Sequence, residues 1–489
     1  MTQSFGINIA TIDDSAVEAG LELLSQPPDW IVAIEDLDRM RADLERVVPE
    51  LASGELRLKA CKFKRARIQN GTWTSLCRLK VEDRDGGSYR EVDLRGTLLP
   101  PGVDPPVGRV DDVPFGEDGW RCYLPDLRWD FVLEKSDTSL PAMPALTDPD
   151  RARTLLEGAL RKSAGGLDDI EIAACTPKIM RYREGRRCTI RYELEYAPDR
   201  QQAHWPESIL AKVYEGDEGE GTHEAMRALW ASPMRASSTV RIAEPLAIVP
   251  EQNVMMQSIV PGEKPLKDHI KKAFADGLEA GIEALSGHVR KAGRGLGELH
   301  TSGALAGEIV TWDDQVASIR HASDELATVV PALNEAMEPL LATLATLGEK
   351  APAGPLVPTH RSFRPAQLLM DGDDMAFIDF DGFCQAEAGL DLALFRATLV
   401  DLSLRAMEKG DELLSPDEQQ AAQVRLDELC HTFLDGYEEV TQFDAERLAL
   451  WDLLTSVKDI LDCWRKIKFE HLERRMRFLH HKLGTLPVR

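Results

Sequence analysis

Apolar residues near the start of the chain recur every three or four positions. Leu37, Met40, Leu44 and Val47 keep this spacing within residues 35–54, which predicts an amphipathic helix stopped at Gly54. Residues 15–26 predict another. The period then falls to two. Trp73, Cys77, Leu79 and Val81 share one face of residues 71–83, and Val92, Leu94 and Leu98 share one face of residues 90–98. Residues 55–68 and 120–134 are strand-like too, and Arg84-Asp85-Gly86-Gly87-Ser88 is a hairpin turn signal. Residues 55–135 therefore predict a small antiparallel β domain, interrupted by a proline-rich loop at 99–114. The basic residues of 59–67 read either as an anion contact or as the wet face of an amphipathic strand.

A linker at 141–150 leads into a helix with Asp148 or Asp150 near its N-cap and Gly165-Gly166 after its end. Residues 178–196 then predict a hairpin that turns at Glu184-Gly185. Residues 208–214 form an apolar strand holding Lys212, residues 221–232 a helix, and residues 244–250 and 253–266 two more strands. The acidic tract 215–221 reads as a loop. Beyond residue 266 the helical period dominates, with one long helix over 277–303, two within 313–348, and helices through 390–482. The exception is residues 368–381, two short strands joined by Asp371-Gly372. The predicted organisation is an N-terminal α/β extension (1–150), a strand-rich lobe (151–262) and a helical lobe with one embedded hairpin (263–489).

Composition narrows the function classes. The 489 residues carry 58 basic and 83 acidic side chains, a net of −25. This disfavours nonspecific nucleic-acid binding and anionic membrane surfaces, both of which need basic patches. Eight cysteines lie at irregular spacing without a Cys-x-x-Cys pair, so reduced, mostly buried thiols are expected. No signal-peptide pattern or membrane-length apolar run is read, and the expected location is cytoplasmic. No Gly-x-Gly-x-x-Gly after a strand, Walker loop, His-Glu-x-x-His or Gly-x-Ser-x-Gly occurs. The basic residues of 464–482 read as a solvated helix face or as a docking surface.

The remaining chemistry lies in two places. Lys212 sits inside an apolar strand, where a lysine needs a partner or an edge position. Glu224 follows twelve residues later on the next predicted helix, at a spacing suited to pairing with it. Asp379 ends a very apolar strand, where a carboxylate is costly unless it meets a cation or several donors. Magnesium would satisfy it, and so would the role of a turn or cap residue. Asp381 points along the same face. Gln367 offers an amide oxygen as a second metal contact, and His360 reads as a structural histidine that holds its loop.

His360-Arg361-Ser362, then Gln367, then Ile378-Asp379-Phe380-Asp381 resembles the catalytic block of the aminoglycoside phosphotransferase and choline kinase family, a branch of the protein-kinase-like fold. The resemblance spans about residues 170–482. It implies an α+β, bilobal protein-kinase-like fold behind the N-terminal antiparallel β extension, with ATP and Mg2+ as cofactors. It also implies that Lys212 and Glu224 act as the phosphate-binding lysine and its partner. Arg183 and Gly185 would lie in the turn over the nucleotide phosphates. Gln367 and Asp379 would be metal ligands, and Asp391 of residues 389–395 would brace the loop. His300 matches the end of the helix preceding that loop.

The departure is Ser362, which stands where the family has the aspartate that positions and deprotonates the acceptor hydroxyl. Loss of a general base costs about 10²–10⁴-fold in rate. Arg364 nearby would suit an anionic ligand, or an ion pair with Asp381 or Glu387. Two functions are therefore expected in competition, beside a nucleotide-independent scaffold that would leave Asp379 and Lys212 unexplained. The first is an ATP- and Mg-binding, pseudokinase-like protein acting with a protein partner through its N-terminal domain. The second is an active kinase on a small hydroxyl substrate (sugar, aminoglycoside or peptide), with Asp381 or an N-terminal acid as substitute base.

Overall fold

The computed structural model describes residues 14–63, 66–69, 71–84, 89–105, 113–133, 139–163, 166–183, 185–408 and 414–485. Residues 1–13, where a leader was sought, most of the predicted 84–88 turn, Glu184 and Gly165 lie outside them. The chain divides into two compact units. One comprises residues 1–136, 313–351 and 453–489; the other comprises 137–312 and 352–452. Contact thus groups the chain differently from the linear segments 1–150, 151–262 and 263–489. The helices within 313–351 and after 453 pack with the N-terminal segment, which a reading of consecutive stretches does not reveal.

The first unit is built on an antiparallel sheet in the order Leu56–Phe63, Thr72–Asp83, Tyr89–Leu98, Trp129–Leu133, Arg121–Leu124, with Arg67–Gln69 also paired to Thr72–Asp83. Trp73, Cys77, Leu79, Val81, Leu94 and Leu98 are buried as the two-residue period requires. Gly96 interrupts that apolar face for a steric reason: a Cβ there would lie 2.5 Å from the Phe131 ring. Lys59 and Lys62 face solvent, and Lys59 pairs with Glu82 at 2.9 Å, as the wet face of an amphipathic strand would. In the helix Leu37–Val47, Met40 and Leu44 are buried while Leu37 is exposed, and the chain breaks at Pro49 before the predicted stop. Two indole groups tie helices into this unit. Trp73 Nε1 donates to the carbonyl of Trp464 at 3.3 Å, and Trp464 Nε1 donates to that of Leu24 at 3.1 Å.

The second unit has a strand lobe and a helical lobe. Its antiparallel sheet runs Pro245–Val249, Val254–Ser258, Ser208–Tyr214, Arg187–Glu195, Ala174–Arg183. The helix Pro149–Lys162, capped by Asp148, packs Leu156 and Leu160 into the same core as Ile190, Tyr192 and Val213. The helix Glu218–Trp230 begins inside the tract read as an acidic loop, since Glu218 and Glu220 suit the positive end of a helix. The hairpin Leu368–Asp371 and Asp374–Phe377 is extended by Arg241–Ile242 on one side and Lys264–Pro265 on the other. A further small sheet consists of Ile309–Val310, Cys384–Glu387 and Leu356–Thr359. These added strands are too short to show an alternating pattern, which is why the sequence does not announce them.

The helices Leu278–His300 and Pro416–Glu438 approach closely through glycines. A Cβ on Gly293 would lie 1.9 Å from the Phe433 carbonyl oxygen, and one on Gly436 would lie 2.0 Å from that of Arg290. Glycine to alanine in a helix interior ordinarily stabilises by about 0.5–1 kcal/mol. Here the sign should reverse. Gly436→Ala is expected to destabilise by about 1–3 kcal/mol through overpacking, read as a lower urea midpoint at unchanged slope.

None of the eight cysteines is in a disulfide, and seven are buried. No helix among the described residues is long and apolar enough to cross a membrane.

Candidate active site

The site forms where the strand Ser208–Tyr214 meets the turn after the hairpin. Alternation along that strand places Lys212 and Tyr214 on one face. Arg187 lies directly across from Tyr214, and Thr189 across from Lys212. Arg187 therefore shares the face of Tyr214 and Lys212 and is a diagonal neighbour of the lysine. From the helical lobe, Asp379 enters this space on a left-handed backbone, φ 70°. Such a conformation is uncommon for a non-glycine residue and marks a constrained turn.

Four charges meet there. Lys212 Nζ donates to Asp379 Oδ1 at 2.9 Å and to Asp381 Oδ1 at 2.6 Å. Arg187 reaches Asp379 at 3.5 Å and also pairs with Asp381. Tyr214 donates its hydroxyl to Asp381 Oδ1 at 3.2 Å, and Gln367 Nε2 donates to Asp379 Oδ2 at 2.9 Å. Burial by itself would raise the Asp379 carboxyl. Lys212 and Arg187 outweigh it and hold the group well below the usual carboxylate range. Burial likewise pushes Lys212 down, but Tyr214, Asp381 and Asp379 together raise it, so it stays an ammonium although only 9% exposed.

Glu224 is not the partner of this lysine. The helix Glu218–Trp230 buries Thr222, Ala225, Met226 and Leu229, and Glu224 falls out of phase with that face and is exposed. The ion pairs of Lys212 run to Asp379 and Asp381 instead. Of the two acids named for Arg364, Asp381 meets Lys212, Arg187 and Tyr214 as above, and Glu387 meets Arg447 at 2.6 Å. Arg183 ends the strand Ala174–Arg183, and Gly185, with φ 68°, lies in the turn before Arg187–Glu195. Arg187 and Tyr214 are missing from the sequence-based site. Their signal was the period itself, since Tyr214 lies two residues beyond Lys212, but only the strand register brings Arg187 beside them.

The loop bearing Ser362 is held from two sides. The backbone N–H of His360 donates to Asp391 Oδ2 at 2.6 Å. Asp391 is fully buried in the first turn of the helix Gly389–Met407 and also meets His300 Nε2 at 3.4 Å. The His360 ring is fully buried against Phe380, with Nε2 3.0 Å from the carbonyl oxygen of Ile378 and Nδ1 3.1 Å from Ser362 Oγ. Arg361 has a left-handed backbone, φ 63°, and its guanidinium pairs with Glu308 at 2.5 Å.

A lysine and an aspartate joined across a strand lobe and a helical lobe, beside a histidine-headed loop, define a kinase-like phosphotransferase fold. The model of the phosphotransferase enzyme family (APH) matches residues 208–465, more than half of the chain, and the chain belongs to that family. Among solved structures, it is similar to a glucosamine kinase in complex with glucosamine, ADP and inorganic phosphate at 15% identity and TM-score 0.46, covering 95% of this chain and 98% of that one. It is also similar to a choline kinase from Cryptosporidium parvum at 12% identity and TM-score 0.42, covering 68% and 96%. An ADP-bound aminoglycoside phosphotransferase shows 14% identity and TM-score 0.39, covering 66% and 97%. No curated protein sequence matches the chain.

Proposed function

We propose that this chain binds a nucleoside triphosphate with a magnesium ion where Lys212, Asp379 and Asp381 converge, and transfers the terminal phosphoryl group to a small hydroxyl acceptor through an altered base side. The observation that carries this reading is the ion pair from Lys212 in the strand lobe to Asp379 in the left-handed turn of the helical lobe. Phosphoryl transfer needs a lysine for the phosphates and a carboxylate for the metal at such a junction.

The donor chemistry fits magnesium. Among the described residues no three carboxylate, histidine or cysteine groups gather as a ready-made metal cage. Magnesium does not need one, because it keeps several waters and is held by one or two carboxylates plus substrate phosphates. Asp379 and Asp381 would hold it, with the Gln367 amide oxygen in support, and it would neutralise charge on the transferred group. Phosphate oxygens would then accept hydrogen bonds that Lys212 and Arg187 donate. Arg187 thus joins Arg183 and Gly185 as a phosphate-side residue of the hairpin.

A second reading is a pseudokinase-like protein that binds nucleotide and acts through a protein partner on its N-terminal segment. It draws support from the family resemblance, which puts Ser362 where an acid is expected, and from the two cations that already sit on the two carboxylates. Calorimetric titration of the full chain with Mg·ATP separates both readings from a scaffold. Saturable binding that requires the metal is expected. Absence of heat and of any thermal shift at millimolar Mg·ATP would sink nucleotide binding altogether.

A further inference from the structure

Ser362 stands at the base position without an acid, yet its hydroxyl is not isolated. The carbonyl oxygen of Ile378 can only accept a hydrogen bond, so the 3.0 Å contact from His360 Nε2 fixes the ring proton on that nitrogen. In the neutral imidazole Nδ1 then carries a lone pair, and it faces Ser362 Oγ at 3.1 Å. The hydroxyl donates to the ring. The ring is fully buried and wedged beside Phe363 and Phe380, with centroids 5.9 and 4.8 Å away, so it cannot turn its Nδ1 elsewhere. Ser362 itself is half-buried, which leaves its oxygen lone pairs open to an incoming hydroxyl. The arrangement is a serine activated by a histidine that is itself oriented by a carbonyl, the order of parts in which a hydroxyl becomes reactive.

We propose that Ser362 and His360 form a proton relay in which Ser362 is the catalytic residue that contacts the acceptor hydroxyl and His360 is the base behind it. The relay rests on the nucleotide-binding reading above. In the step, the acceptor oxygen bonds to the terminal phosphorus while the bond from that phosphorus to the leaving diphosphate oxygen breaks. The acceptor proton passes to Ser362 Oγ, and the proton that Ser362 held passes to His360 Nδ1. The imidazolium keeps its Nε2–H on Ile378. It later returns the Nδ1 proton to Ser362, which releases its own to water. The same path serves water as the acceptor.

The test uses the full chain, Mg·ATP and water as acceptor, with release of inorganic phosphate as the measure, and nitrogen NMR of the histidine rings. Wild type should release phosphate. Ser362→Ala should lower kcat by about 10²-fold or more with the KM for ATP unchanged. Ser362→Thr, which keeps a hydroxyl, should recover most of the rate. In the spectra, His360 should show a proton on Nε2 and a bare Nδ1 whose resonance moves in Ser362→Ala. Wild-type turnover in Ser362→Ala overturns the relay, as does a neutral His360 ring protonated on Nδ1. Binding of Mg·ATP without phosphate release overturns the relay while leaving the nucleotide site standing. Failure to bind Mg·ATP removes the nucleotide reading and the relay with it.

Discussion

Asp379→Ala should abolish the thermal stabilisation of this protein by Mg·ATP. Ligand at a hundred times its dissociation constant stabilises a folded protein by about 2.7 kcal/mol, and the variant should show none of this. Asp379 is where a lysine, an arginine and a glutamine amide converge, so its loss removes the group on which metal and phosphate neutralisation would depend. Asp379→Asn separates charge from shape, because it keeps an oxygen for Lys212 but cannot match a carboxylate toward a divalent ion. Both variants should lose the magnesium-dependent shift. A shift of wild-type size in Asp379→Asn would mean that the metal is held elsewhere, and one in Asp379→Ala would remove this residue from the site.

Glu387→Ala should destabilise the protein by about 3–5 kcal/mol, the scale of breaking a buried ion pair by removing one member. Arg447 donates to both Glu387 oxygens, at 2.6 and 2.7 Å, and the two side chains are only 6% and 5% exposed. Trp451 Nε1 and the backbone N–H of Gly354 complete the acceptor at 3.2 Å each, and the Arg447 guanidinium lies 4.8 Å from the Trp312 ring centroid. With alanine in place, the guanidinium keeps that ring but loses the two hydrogen bonds it donates to the Glu387 carboxylate. A loss under about 1 kcal/mol in urea unfolding, the scale of an exposed pair, would show that this pair is solvated.

The same carboxylate carries a pH signature. Burial pushes Glu387 up, but Arg447 and the N–H donors of Gly354 and Trp451 outweigh it, so its folded value lies below the ordinary glutamate value. A depressed carboxylate contributes stability that is fully present above its unfolded value and is lost as pH falls through the folded one. Stability should therefore decline below about pH 4.3, and the decline should be shallower in Glu387→Gln. Identical acid profiles for the two proteins would assign the acid sensitivity to other groups.

How much of this was legible before folding depends on the range of each interaction. The two-residue period marked the sheet of the first unit, and the apolar strand around Lys212 marked the lysine, because alternation is local. The block from His360 to Asp381 was legible as a motif because its loop and hairpin are continuous in the chain. The pairing of Lys212 was not. Helix phase turns Glu224 outward, and the partners of the lysine lie 167 and 169 residues further on. The short strands at 241–242, 309–310 and 384–387 were hidden for a related reason: two to four residues hold no period.

Local chemistry along the chain determined that Ser362 follows His360 by two positions, that Asp379 ends an apolar strand, and that His360 heads the loop. These are identities and short-range spacings, carried by the covalent order alone. The tertiary structure decided which charges meet and which way the loop's hydrogen bonds run. Strand register brought Arg187 beside Lys212, and burial against Phe380 with the Ile378 carbonyl oriented His360 toward Ser362. Such facts depend on desolvation and on contacts between distant segments, which no stretch of sequence holds by itself.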